Sequence, residues 1–199
     1  MPSPAAIGLR AHSGWAAAVA ITAPAEDPAV IMRRRIDMRE RGVAGPSQPY
    51  HAAVGLDIRE AERLIASFSA RAAELAATPL RRMVEDLRQL GHPVHGCGLL
   101  LASGRPLPPL AKILASHPLL HTAEGELFRD ALRAACRDCG LPIVTVKERE
   151  LFPLAAADLR LPAERIEHHL AAMGKGIGPP WRQDQKLAAV AAWLALLGR

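Results

Sequence analysis

The sequence predicts an α/β fold: a mixed five-stranded sheet flanked by helices, in the order β-β-β-α-β-α-β-α. Three observations predict it. The first third is rich in β-compatible apolar runs separated by turn residues. The remainder alternates short apolar strands with helices of three- and four-residue periodicity. An initial meander followed by such alternation calls for a mixed sheet covered by helices. With 199 residues, the chain is expected to form one domain, 1–199, with a sizeable core.

Residues 6–22 form the first apolar stretch. IGLRAHSGWAAAVAIT suits a buried strand, yet Arg10, His12, Ser13 and Gly14 interrupt it. TAPAEDP (22–28) supplies turn residues, and AVIMRRRIDM (29–38) follows with period-two patterning crossed by three arginines. RERGVAGPSQP (39–49) reads as loop, and PYHAAVGL (49–56) as a short third strand.

A long helix begins near Asp57, its N-cap. Ile58, Ala61, Leu64, Ile65, Phe68, Ala72 and Leu75 mark one apolar face. Thr78-Pro79 predicts a kink or a restart, since proline removes a helix donor. Gly91 ends this helix. HPVHGCGLLLAS (92–103) reads as a buried strand and PLPPLAKILAS (106–116) as a short helix. AEGELFRDALRAACRDCG (123–140) is a strong helix with Thr122 as N-cap. LPIVTVKERE (141–150) is the clearest strand, continuous and then abruptly charged. Helices follow over 157–174 and 181–198, separated by the Gly/Pro loop GKGIGPP.

Composition bounds the function. The net charge of +5 permits nucleic acid or anionic ligands, although acids and bases are interspersed without a long like-charge block. The three cysteines form no disulfide framework. Cys136 and Cys139 match C-x-x-C, but they end a helical pattern, where the dipole opposes a thiolate. They lack the second ligand pair of a zinc site and read as ordinary half-buried thiols. The N-terminus lacks a secretory pattern, and no apolar run reaches the roughly eighteen residues of a membrane span. A cytoplasmic, bacterial-type protein is expected, with nucleic acid and a second copy of the chain as candidate partners. No P-loop or dinucleotide fingerprint follows a strand.

Four places carry candidate chemistry. Asp184, in WRQDQK, opens the last helix beside Gln183, Gln185 and Lys186, after a loop with free backbone donors and Lys175. Lys147, Glu148, Arg149 and Glu150 close the 141–150 strand, where open α/β sheets bind ligands. HTAEGEL brings His121, Glu124 and Glu126 to a helix start. His12 lies in the first strand, where a neutral imidazole can ligate a transition metal or act as a base. With His51, His121 and Glu124 it would make a His-rich site suited to zinc, manganese or iron.

The element order, with the glycine-containing loop and acidic start of the last helix, resembles the ribonuclease H-like superfamily, and the GKGIGPP–WRQDQK stretch looks similar to RuvC-type resolvases. That resemblance implies carboxylates on the first strand, near the fourth and on the last helix, holding two magnesium or manganese ions for phosphodiester cleavage. Carried onto this chain it gives Glu124, Glu148 and Asp184 as catalytic acids, with His12 where the first-strand acid is expected. Glu124, Asp184 and His121 are the metal ligands, and Arg10, Lys175 and Lys186 bind phosphate. The first strand holds no Asp or Glu. Three functions therefore stay open: a metal-dependent nuclease or nucleic-acid processing enzyme, a catalytically degenerate binding or structural module, and a His-dependent metal hydrolase acting on a small substrate.

Overall fold

The computed structural model describes residues 3–24, 26–39 and 48–198. It forms a five-stranded mixed sheet with helices on both faces. The strands are β1 (Ala5–His12), β2 (Trp15–Thr22), β3 (Ala29–Asp37), β4 (Val94–Leu101) and β5 (Ile143–Lys147), in spatial order β3-β2-β1-β4-β5. β1 pairs antiparallel with β2 and parallel with β4, and β4 runs parallel to β5. The C-terminal ends of β1, β4 and β5 therefore share one edge of the sheet.

The 6–22 stretch is a hairpin rather than one strand. His12 pairs with Trp15 across Ser13 and Gly14, and Gly14 takes φ 83°, the left-handed conformation that a tight hairpin needs. The expected third strand over 49–56 is instead the short helix α1 (Pro49–Ala52), with proline in its first turn. The meander is completed by β3. Most of the 39–49 loop lies outside the described residues.

One face is covered by α2 (Ile58–Gln89) and α4 (His117–Asp138), which pack on each other over Ile7, Leu9, Ile36 and Leu99. Asp57 caps α2 through Arg59 N, as its side-chain type predicts. Thr78-Pro79 does not divide α2, which runs through Pro79 because Ala76, Ala77, Leu80, Met83 and Val84 bury one continuous face around it. The helix expected at 123 begins six residues earlier, after the short α3 (Leu110–Leu114), so Thr122 is an interior residue whose hydroxyl bonds Pro118 O. Pro118 does not break α4, because it stands in the first turn, where no intrahelical donor is needed.

The opposite face is covered by α5 (Leu151–Leu159), α6 (Ala163–Ile177) and α7 (Gln183–Leu196). The expected 157–174 helix is divided between α5 and α6, because Arg160 takes a left-handed conformation and Pro162 caps the next helix. α6 extends through the first glycines of the GKGIGPP segment, leaving Lys175 helical and exposed. Trp193 of α7 is fully buried, as are most residues from Leu187 to Ala195. That helix is a central layer rather than an amphipathic cover.

The cysteines behave as packing residues. Cys97 and Cys136 are fully buried, and Cys139 is half-buried. The hydrogen bond from Cys136, followed by burial, pushes the Cys97 thiol well up, and burial raises Cys139. No helix among the described residues is long and apolar enough to cross a membrane.

Candidate functional site

Two glycines bring α7 onto the sheet. Gly8 of β1 and Gly98 of β4 are register partners. A Cβ on Gly8 would meet Ala188 O, and one on Gly98 would meet Ala191 O, so only hydrogen allows this approach. Periodicity then sets the site. Gly8, Arg10 and His12 share one face of β1, at period two. Asp184 lies one helical turn before Ala188, on the same face of α7. Seating Ala188 over Gly8 thus places Asp184 over Arg10 and His12.

The contacts follow. His12 Nε2 lies 2.8 Å from Asp184 Oδ1, and Arg10 Nη1 donates to the same oxygen. Glu148, in the 3₁₀ turn Glu148–Glu150 that follows β5, receives Arg10 side-on: Nε to Oε2 at 3.0 Å and Nη2 to Oε1 at 2.9 Å. Arg10 Nη1 also lies 3.0 Å from His12 Nε2. One guanidinium therefore stands between two carboxylates and beside an imidazole. Its side chain is 19% exposed, against 42% for Glu148 and 25% for Asp184.

The electrostatics are self-compensating. Burial would raise the Asp184 carboxyl, but the His12 hydrogen bond and the charges of His12 and Arg10 outweigh it and hold the group below its ordinary value. Arg10 is lifted above its ordinary value by the Glu148 hydrogen bond, against burial, so its charge is permanent.

The site continues across the hairpin. Trp15 stacks on His12 at 4.3 Å between centroids and 9° between planes, and the Arg35 guanidinium lies 4.0 Å over the Trp15 ring. A shallow cleft here is lined by Trp15, Ala17, Pro180 and Gln185 together with Arg33, Arg34 and Arg35. Arg33 reaches the segment before α7, donating to the carbonyls of Gly178 (2.6 Å), Pro179 (2.5 Å) and Pro180 (2.7 Å). The edge strand thereby steadies the chain that leads into Asp184.

Of the residues singled out in the sequence, Arg10, His12, Glu148 and Asp184 come together. Lys186 is half-buried in a neighbouring cleft with Phe152, Glu167 and Gln183, and Lys175 is exposed at the end of α6. Glu124, His51 and His121 assemble elsewhere. Glu124 is on α4, on the face of the sheet opposite α7, and its Oε1 accepts from Tyr50 N at 2.8 Å and His51 N at 3.2 Å. His12 therefore does not share a site with His51 and His121. The second cluster instead includes His117, which the sequence reading passed over. Its signal was the His117-x-x-x-His121 spacing, visible only once α4 is known to begin at His117.

Arg10, expected on phosphate, faces Glu148 and Asp184 in the structure. Both its edges face carboxylates, so a phosphate would have to compete with Glu148 and Asp184 for it. The same contacts bear on magnesium. Glu148 engages Arg10 with both oxygens, Asp184 faces two nitrogen groups, and a fixed cation stands between them. That donor set does not fit a pair of divalent ions.

The sheet order, the helical layers and the last helix crossing the first strand define a mixed five-stranded α/β fold with helices on both faces. Among solved structures, the chain is similar to Thermus thermophilus RuvC, with TM-score 0.52 and 10% identity over 98% of this chain and 95% of that one. It matches T. thermophilus RuvC in complex with a Holliday junction substrate to the same extent. At that identity the likeness is one of fold. No protein-family model matches the chain, and no curated protein matches it in sequence.

Proposed function

We propose that the protein is a nucleic-acid-binding member of the ribonuclease H-like fold whose acidic site is closed by its own arginine. The observation that carries this reading is Arg10, which engages Glu148 and Asp184 together where a metal-dependent nuclease needs open carboxylates. Two convergent carboxylates with a guanidinium between them serve to fix α7 and the β5 end, not to activate water. The site is then a structural hub, and binding uses the surface around it.

Nucleic acid as ligand is supported by the net charge of +5 and by the RuvC neighbour recorded with a Holliday junction. Exposed Lys175 and Arg182 flank the entry to α7 at this edge. Exposed cationic groups on a shallow surface suit contacts to the phosphate backbone, which are strongly salt-dependent.

The test is fluorescence anisotropy with labelled four-way junction, duplex and single-stranded DNA, run in EDTA and again in magnesium. Binding that is indifferent to magnesium, falls steeply with salt and leaves the DNA intact is the expected result. Magnesium-dependent cleavage that disappears in Asp184→Asn would overturn this reading in favour of a nuclease.

A further inference from the structure

The second cluster has its own chemistry. His117 and His121 lie four residues apart on the first turns of α4, so they share a helix face. His51, from α1, faces them. One ring nitrogen from each of the three lies within 4.8 Å of the others, and ring centroids are 4.5 Å (His117–His121), 4.7 Å (His51–His121) and 5.7 Å (His51–His117) apart. Ligands of a tetrahedral zinc ion, at about 2.0–2.1 Å each, stand roughly 3.3 Å from one another. Because His117 and His121 are exposed, side-chain rotation alone can close that difference.

Behind the rings stands Glu124, one turn beyond His121 and 1% exposed. Besides the two α1 amides, its Oε1 is 3.3 Å from His51 Nδ1. Its Oε2 is buried without a hydrogen-bond partner. A carboxylate on Nδ1 fixes the proton there and leaves Nε2 as the free, more basic nitrogen; this is the arrangement that orients metal-bound histidines. Nothing in the Arg10 cluster uses these residues, which lie on the other face of the sheet.

We propose that His51, His117 and His121 bind one divalent transition-metal ion of the zinc class, with Glu124 as the positioning residue for His51. Three neutral imidazoles without thiolate favour zinc, cobalt or nickel over magnesium. With two of the rings on the surface, the fourth coordination position opens to solvent, the form taken by zinc sites that admit water or an exogenous ligand rather than purely structural ones. This site stands independently of the nucleic-acid reading.

The experiment uses the full chain with any affinity tag removed and metals stripped. It is titrated with zinc chloride by calorimetry and with cobalt chloride by visible absorption. One zinc per chain at micromolar affinity or better, and a four-coordinate cobalt spectrum that zinc abolishes, are expected. His117→Ala and His121→Ala, both at exposed positions and checked for folding by circular dichroism, should lose binding. Glu124→Gln should keep the stoichiometry while weakening zinc about 10- to 100-fold. Asp184→Asn should bind zinc as the wild type does. Absence of stoichiometric zinc binding, or unchanged binding in folded His117→Ala and His121→Ala, would overturn the site. Unchanged affinity in Glu124→Gln would overturn the positioning role.

Discussion

Arg10 meets Glu148 edge to edge, with Nε–Oε2 at 3.0 Å and Nη2–Oε1 at 2.9 Å, and thereby ties the first strand to the turn after the last one. A bidentate pair of this kind is directional as well as charged. Removing Arg10 leaves Glu148 and Asp184 facing each other without their shared cation. Glu148 is partly exposed, so solvent softens the loss, and Arg10→Ala should destabilise the protein by about 1–2 kcal/mol. The same change opens the carboxylates. Manganese should raise the melting temperature of Arg10→Ala more than that of the wild type. Equal shifts in the two proteins would show that the guanidinium does not hold the site closed.

Asp184 gives the acid side of the stability profile. Its folded-state pKa is depressed by His12 and Arg10 against the opposing effect of burial. The stabilisation is therefore fully present above the unfolded carboxyl value of about 3.9, and it is lost as pH falls through the folded value. Asp184→Asn should be less stable than the wild type at pH 7, and the gap should narrow below about pH 4. Denaturant titrations at both pH values measure this difference. A constant gap would mean that the ion pairs contribute nothing to the difference.

The two glycines under α7 make a purely steric prediction. Gly8→Ala or Gly98→Ala would force a Cβ against the backbone carbonyl of Ala188 or Ala191, where no flexible side chain can yield. Overpacking of this kind costs about 1–3 kcal/mol and sometimes more. α7 should also lift, separating Asp184 from His12. Thermal melts report the first effect, and the His12 ring chemical shifts at a fixed pH report the second. Gly55→Ala is a weaker control: a Cβ there meets nothing within 4 Å, leaving only the strain of its φ of 85°.

Much of the fold was legible because periodicity carries it. The strand–helix alternation after residue 57 and the Asp57 cap follow from local pattern, whereas the five-strand total holds because the division of 6–22 into β1 and β2 offsets the expected strand at 49–56 that is a helix. What was illegible depended on context. β1 and β2 read as one run because both are buried on both faces and only Ser13-Gly14 divides them. Residues 49–56 are too short for period to separate strand from helix. Pro79 was a fair signal of interruption, overridden because the buried face of α2 continues on both sides of it. At the site, Asp184 and Glu148 stood out as acids at element ends, which is a local property. The part played by Arg10 did not. It rests on the glycine–alanine contact that seats α7, a relation between residues 180 positions apart. His117 was hidden by the start of α4, placed six residues late.

The basic groups around α7 separate binding from folding. Lys175 is exposed at the end of α6, whereas Lys186 is half-buried in a cleft shared with Glu167. A cation in free solution exchanges its counterions for a phosphate, and each such contact on duplex DNA contributes about 0.9 to the slope of log K against log salt. One that is half-buried contributes less, since it reaches a phosphate less readily. Lys175→Ala should therefore reduce the salt slope by close to one phosphate contact and weaken duplex and junction DNA alike, without changing the melting temperature. Lys186→Ala should move the slope less. Anisotropy titrations at several salt concentrations distinguish the two. An unchanged slope in Lys175→Ala would remove this edge of the molecule from the binding surface.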